Sequence, residues 1–435
     1  MSKPKMFFLG CSLAVALMLC VFATSAAAQE TIIHRFADGN DGAVPTYGLV
    51  ADVSGNLYGT TTAGGMGACS GGCGTIFKLI PPVTPGGTWK KHVLHYFQAA
   101  SIDGAGPCCL MFYKGNLYGT AGPTIFKLVP PSATSDKWKL FVLHTFLGAG
   151  PNGNLAFDSA GNIYGTNCCD GFSDLGTIFE LSPPPAPDDA WTYRVLHSFG
   201  FPFEDGRQPL SGLVSDAAGN LYGTTEYGGD DKHLCNGLGC GTVFEMIPPP
   251  TPGAVWTYTV LHRFGNHYAD PPDGAFPIGG LIFDESGNLY GTTDNGSANP
   301  HYSCGTVFQM TPPSWTETVI YSFTCDSHDG TNPLSNLTIY NGILYGTTIG
   351  GGGGPCNGGC GTAFQLAPPE SSGGWTETVL YRFQGGNDGE WPISNLIFGV
   401  GGALYGTTKF GGSNEACPAV YLSVGCGTVF QLIPQ

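Results

Sequence analysis

The chain has 435 residues, with 16 Lys and Arg against 32 Asp and Glu, a formal charge of −16. That balance repels nucleic acid and anionic lipid, and with only 11% of residues charged the acidity serves solubility rather than a particular partner. Sixty-nine glycines and 33 prolines approach low-complexity levels, yet they recur at fixed places and 42% of residues are hydrophobic, which excludes a disordered polymer and leaves repeats able to bury a large core.

Residues 1–28 read as a secretory leader: Lys3 and Lys5, an apolar run from Met6 to Ala23, then Ser25-Ala26-Ala27-Ala28, with cleavage expected after Ala28. An uncleaved anchor is the competing reading, because the run is nearly long enough to span a bilayer; the small residues before Gln29 favour cleavage. Lipoprotein attachment fits less well, since bulky Leu19 precedes Cys20 and Cys11 lies early in the apolar run. No other long apolar segment occurs, so no membrane span is expected after cleavage, and loss of the two lysines takes the charge to about −18.

From Gln29 onward the chain is a tandem array. The motif L-Y-G-T or its close variant centres on Tyr58, Tyr118, Tyr164, Tyr222, Tyr290, Tyr345 and Tyr405. Six repeats open on Asp-Gly followed three residues later by Pro, at Asp41, Asp103, Asp205, Asp273, Asp329 and Asp388; the third opens on Gly148-Ala149-Gly150-Pro151 instead. The fifth repeat displays the unit: an apolar run from Pro277 to Asp284, a turn at Glu285-Ser286-Gly287, then Asn288 to Thr293. After a Gly/Asn/Ser loop come Gly305 to Met310, a Pro-Pro turn and Trp315 to Phe323. Four strands of about six residues with short turns and no amphipathic helix describe one propeller blade, so the expected fold is all-β, a seven-bladed β-propeller over residues 29–435. In the last strand Trp256, Tyr258, Val260, His262 and Phe264 alternate with other residues, which predicts one aromatic face. The small Gly and Thr of L-Y-G-T-T leave room for large rings of a neighbouring sheet.

The chain ends predict closure. Thr31 to Phe36 matches the end of the Trp-initiated strand, and Gly427 to Leu432 lacks the outer strand that follows it elsewhere, so the N-terminal strand should complete the seventh blade. Closure removes exposed edges and a monomer is expected. This strand order gathers the Asp-Gly-x-x-Pro connections and the loops after L-Y-G-T-T on one face, called the top. Loop length varies there, from Ala121-Gly122-Pro123 to Glu226 through Cys240, and variable loops on a regular scaffold commonly carry function.

The recurring G-N-L-Y-G-T-T, C-G-T-V-F-x-L and V-L-H-x-F blocks resemble the GloVer tandem repeats of bacterial secreted and surface proteins, over nearly the whole mature chain. The match drifts at Gly119-Thr120-Ala121 and at Ile343 and Ala403. The resemblance implies a secreted or surface repeat protein and no particular biochemical role. Because the sequence stops at Gln435, close behind the last expected strand, a periplasmic or released protein is expected rather than an anchored one. The D-x-x-G-N-L-Y run is also similar to NHL and gluconolactonase-type propellers.

Fourteen cysteines remain beyond the leader, an even number suited to an oxidising compartment. Cys69/Cys73, Cys235/Cys240, Cys356/Cys360 and Cys417/Cys426 each fall within one top loop and read as local disulfides. Cys304 and Cys325 flank two adjacent antiparallel strands in bridging register. Cys108-Cys109 and Cys168-Cys169 lie on neighbouring blades, which suggests cross-blade linkage. Zinc is the alternative for these clusters, against which stands the lack of paired His ligands.

His34, His95, His144, His197 and His262 share one outer-strand position at which Tyr321 and Tyr381 also occur, so this position is expected to pack between blades. His233, His267, His301 and His328 fall in top loops. The six aspartates form a ring that suits turns, each carboxylate bonding nearby N–H groups; clustered carboxylates also suit Ca²⁺ or a polyhydroxy ligand. Nearest the channel mouth stand Asn154, Ser211, Asn336 and Asn395, with Glu390 and Trp391 just before the seventh inner strand, a mixture suited to sugar. No carboxylates occupy the positions after Pro where a lactonase-like metal site would need them, and no serine elbow, Walker loop or dinucleotide fingerprint occurs. No resident cofactor is expected. The expected role is a binding module for extracellular glycan or protein acting through the top face. A metal-dependent lactonase or polysaccharide-degrading enzyme is the alternative, and a purely structural envelope component a third.

Overall fold

The computed structural model describes residues 28–434 except 85, 100, 134, 152, 172–173, 187–188, 201–202, 230–234, 252, 266–272, 297–303, 371–372, 413–416 and 418–424. Residues 1–27 of the leader, and with them its expected cleavage signal, lie outside the described residues, as do His233, His267 and His301.

Seven four-stranded antiparallel sheets form a β-propeller. In blade 1 the strands are, from the channel outward, Val50–Ala51, Leu57–Thr61, Thr75–Ile80 and Lys90–Tyr96, and blades 2 to 6 repeat the order. Blade 7 joins Ile397–Phe398, Leu404–Thr408 and Thr428–Ile433 to the N-terminal strand Gln29–Arg35, which pairs antiparallel with Thr428–Ile433 and closes the ring. The innermost strands are shorter than the apolar runs that announce them: six have two or three regular residues, and Pro107–Tyr113 of blade 2 has seven. Their channel edge has no further strand to pair with, so the ladder ends early there.

Each second strand is buried along its length, as its apolar Leu-Tyr and small Gly-Thr-Thr require between two layers. A Cβ on Gly59 would fall 2.5 Å from Cζ of Phe77, directly opposite on the third strand. The ring that fills the glycine's space thus comes from its own blade, and the neighbouring blade packs onto that ring. Phe36 on Phe77, Phe97 on Phe126, Phe264 on Phe308 and Phe383 on Phe430 meet at 5.0 to 5.5 Å between centroids, and all eight rings are fully buried. Truncating one to Ala would cost about 3–5 kcal/mol.

The outer strand differs from the expected single aromatic face. A β-bulge interrupts its pairing in every blade; in blade 4 Phe244 faces Val260 and Val243 faces His262, leaving Leu261 as the extra residue. One inserted residue rotates the rest of the strand by half a pleat. Trp256 and Tyr258, before the bulge, pack with blade 3, whereas Phe264, after it, packs with blade 5. Each outer strand therefore contacts the preceding blade through its first half and the following blade through its second.

Candidate functional site

The inner strands enclose an axial cavity of about 250 Å³. Asn154, Ser211, Asn336 and Asn395 line it together with Tyr47 and Cys109. Several of these polar groups already serve the ring. Ser211 Oγ accepts hydrogen bonds from the Thr224 amide (3.3 Å) and hydroxyl (2.8 Å), Ser335 repeats the device with Thr347, and Ser394 accepts from the Thr407 amide while the Thr407 hydroxyl donates to the Tyr47 carbonyl. Gly280 N–H donates to Asn336 Oδ1 at 2.6 Å, and a Cβ on Gly48 would collide with the Asn395 amide, so both side chains lie across the neighbouring blade's glycine. Tyr47 breaks the pattern of small residues, and burial raises the pKa of its phenol.

The six aspartates sit at the blade junctions, away from the cavity lining. Asp41, Asp103, Asp205 and Asp273 each face the outer-strand histidine of the preceding blade, with His34, His95, His197 and His262 Nε2 at 3.1, 2.8, 3.0 and 3.0 Å. Tyr321 and Tyr381 replace histidine by donating their hydroxyls to Asp329 and Asp388, both at 3.0 Å. The same carboxylates accept backbone N–H groups from the end of that strand, such as Ala37 to Asp41 and Gln384 to Asp388. The two sets are thus partners, and a signal existed: each histidine or tyrosine precedes its aspartate by seven to eleven residues, while the repeat without Asp-Gly keeps His144, which instead stacks on Tyr193 at 4.6 Å. The glycine of each pair is equally specified. Gly42 has φ +83°, and a Cβ there would lie 2.5 and 2.8 Å from Thr61 and Thr75 Oγ1, which bond each other at 2.9 Å.

The residue just before Pro, singled out by the sequence only at Trp391, is not itself part of the cavity lining but stands two positions ahead of the lining residues Thr46, Leu210, Ile278, Leu334 and Ile393, at the rim. Val44, Gln208, Phe276, Asn332 and Trp391 all have φ between 53° and 59°. Their N–H groups donate to the loop that opens the preceding blade's third strand, Phe276 to Cys240 and Trp391 to Cys360 for example. Their carbonyls accept from the residue after L-Y-G-T-T, as Phe276 does from Asp294 and Trp391 from Lys409. The backbone role is constant and the side chain varies. In blades 4 to 6 the rim carries Glu226, Asp294 and Asn332, with Asn332 Nδ2 donating to Asp294 Oδ1 at 3.0 Å. Burial raises the pKa of Asp294 and of Glu226, the latter with help from the charge of Asp294. In blade 7 Trp391 meets Phe410 edge-on at 5.4 Å with Lys409 5.6 Å from its centroid, and burial lowers the lysine's pKa. Glu390 is buried and does not line the cavity; its carboxylate is turned toward Gly385 beside Cys356 and Cys360.

Seven disulfides are present. Cys69–Cys73, Cys235–Cys240, Cys356–Cys360 and Cys417–Cys426 close top loops, and Cys304–Cys325 joins the ends of adjacent strands. The vicinal pairs differ from the expected cross-blade linkage: Cys108 is bonded to Cys109 and Cys168 to Cys169. Their places explain it, since Cys108 and Cys109 belong to an inner strand while Cys168 and Cys169 follow a second strand, farther from the axis. Among the described residues no helix is long and apolar enough to cross a membrane.

Fold and motif together define a seven-bladed propeller of tandem repeats. The Gloeobacter/Verrucomicrobia repeat model matches residues 20–233, 123–359 and 301–435, and the chain belongs to that family. The curated proteins contain no match. Among solved structures, the chain is similar to PorZ, a bacterial surface component of the type-IX secretion system of Porphyromonas gingivalis (13% identity, TM-score 0.47), with 91% of this chain covering 46% of that one. It is similar to a luciferin-regenerating enzyme (12% identity, TM-score 0.42, 93% and 95% covered). A calcium structure of a Trichoderma reesei carbohydrate-active enzyme of family AA12 is similar as well (11% identity, TM-score 0.43, 95% and 98% covered).

Proposed function

We propose that the protein is exported and binds an extracytoplasmic glycan or protein at the funnel formed by the axial cavity and its rim. The observation that carries this reading is the residue before Pro: in five blades its backbone makes the same cross-blade bonds, while its side chain changes from Val44 to Gln208, Phe276, Asn332 and Trp391. A position whose side-chain chemistry the fold does not fix can vary with a ligand. Glycan is the better fit, because Trp391 offers a face for sugar C–H groups while Asn332, Asp294 and Glu226 offer hydrogen-bond partners for hydroxyls. Export is supported by seven disulfides, which persist in oxidising compartments.

A glycan array probed with the mature protein and with Trp391→Ala tests the reading. Binding weakened roughly 10-fold or more by the substitution is expected. Absence of any glycan or protein ligand, or equal binding by the variant, overturns it. The pair Glu226 and Asp294 favours one second reading, acid–base chemistry at the rim. Turnover of a lactone or polysaccharide that Asp294→Asn abolishes would establish that reading, and inactivity on both would remove it.

A further inference from the structure

At each blade junction a third side chain stands at the outer-strand histidine or tyrosine, which six of the seven junctions pair with an aspartate. It comes from the next blade's outer strand, before the bulge, at the residue opposite a third-strand Leu or Met: Lys91, Leu140, Tyr193, Tyr258, Glu317, Glu377 and Glu30 around the ring. These seven related places serve as controls for one another. Between blades 7 and 1, Lys91 supplies a positive charge, its Nζ 2.6 Å from Asp41 Oδ1 with His34 on the other oxygen. Between blades 3 and 4, Tyr258 stacks on His197 at 4.0 Å and donates its hydroxyl to the Asp205 carbonyl. Between blades 5 and 6 and between blades 6 and 7, Glu377 and Glu30 stand beside tyrosine–aspartate pairs.

Among the described residues, only between blades 4 and 5 do a histidine, an aspartate and a glutamate coincide. One ligand atom from each of His262, Asp273 and Glu317 lies within 4.8 Å of the other two, and His262 Nε2 is 3.0 Å from Asp273 Oδ1. Glu317 Oε1 is enclosed and has no hydrogen-bond partner among the described residues, as is also true of Glu377 and Glu30 Oε1, so the histidine is what sets this junction apart. Where Lys91 brings a cation to the equivalent pair, Glu317 brings a second carboxylate.

We propose that His262, Asp273 and Glu317 form a binding site for one divalent first-row transition ion of the zinc class. An imidazole nitrogen with two carboxylates is a donor set for zinc or its neighbours, whereas calcium and magnesium favour all-oxygen shells. The two carboxylates balance the ion's charge, and His262 binds as the neutral imidazole through the Nε2 lone pair, releasing a proton to solvent if it was protonated. Ligand atoms around four-coordinate zinc stand roughly 3.4 Å apart for bonds of ~2.1 Å, so side-chain adjustments of about 1 Å complete the shell. The ion would clamp blade 4 to blade 5 at the outer rim, independently of any ligand in the axial funnel.

Tag-free full-length protein, stripped with chelator and titrated with Zn²⁺ against a chromophoric competitor, tests the site. One equivalent is expected to bind, weakened at least ~10-fold in His262→Tyr and in Glu317→Lys. Both substitutions install residues that sibling junctions already hold, and a thermal melt verifies folding; Glu317→Gln replaces either variant that fails to fold. His197→Tyr, one junction away, should leave the equivalent intact. Absence of zinc binding overturns the proposal, as does an equivalent that survives the substitutions or a site that takes Ca²⁺ in preference to Zn²⁺.

Discussion

Lys91 reaches back across the ring closure to Asp41, its ammonium 2.6 Å from one carboxylate oxygen while His34 holds the other at 3.1 Å. Burial opposes the charge on Asp41, but the bonds from His34 and Lys91 outweigh it and hold the carboxyl at about 2, below its ordinary 3.8. A depressed acid contributes stability above its unfolded value and loses it as pH falls through the folded one. Lys91→Met should therefore remove part of the acid-unfolding transition between about pH 4 and 2. It should also cost about 1–2 kcal/mol at pH 7, less than a fully buried pair because 28% of the Asp41 side chain is exposed. Urea titrations of both proteins across that range give the comparison.

Glu30 and Glu377 behave oppositely. Burial first, then Asp388 for Glu30 and Asp329 for Glu377, raise each carboxyl to about 7, with Arg35 and Arg382 opposing; Asp326 also faces Glu377, and Tyr381 and Tyr321 complete the surroundings. A raised acid gives its full contribution below the unfolded value near 4.5 and loses it as pH climbs through about 7. Melting temperature should fall across that window, and the double variant Glu30→Gln, Glu377→Gln should flatten the fall. An unchanged pH profile would show that neither group changes protonation there.

Gly42→Ala tests why glycine follows aspartate. The backbone is left-handed at φ +83° and the new methyl would meet two threonine hydroxyls that bond each other. A loss of more than ~2 kcal/mol in chemical denaturation is expected. Gly39→Ala is the control for conformation alone, since that glycine is also left-handed, at φ +50°, with open space around its Cβ position; it should cost about 1 kcal/mol.

Deletion of residues 29–35 should leave Thr428–Ile433 as an unpaired edge. Exposed edges recruit other chains, so oligomers are expected in sedimentation, and a peptide of the deleted sequence should restore the monomer. A deletion variant that stays monomeric would contradict the closure argument.

Blade number, strand order and closure were legible because Gly, Pro and L-Y-G-T punctuate the chain at a fixed period, and local disulfides followed from cysteines a few residues apart. The bulge was not. Trp256 through Phe264 alternate without a break, and only the pairing of Val260 and His262 with consecutive third-strand residues reveals the extra one. Missing it hid the His262–Asp273 pair and the approach of Glu317, contacts that belong to no single repeat. The rim was hidden for a related reason: Val44, Gln208 and Trp391 share a backbone conformation but not a side-chain chemistry.

The bulge also bears on how such rings can be rearranged. Because the outer strand addresses one neighbour with its first half and the other with its second, a whole repeat transplanted into a new ring would arrive with mismatched partners on both sides. A segment cut within two successive outer strands, at the bulges, would carry its junction intact. Exchange of seams rather than blades is the route by which a propeller of this kind could be shuffled without losing its fit.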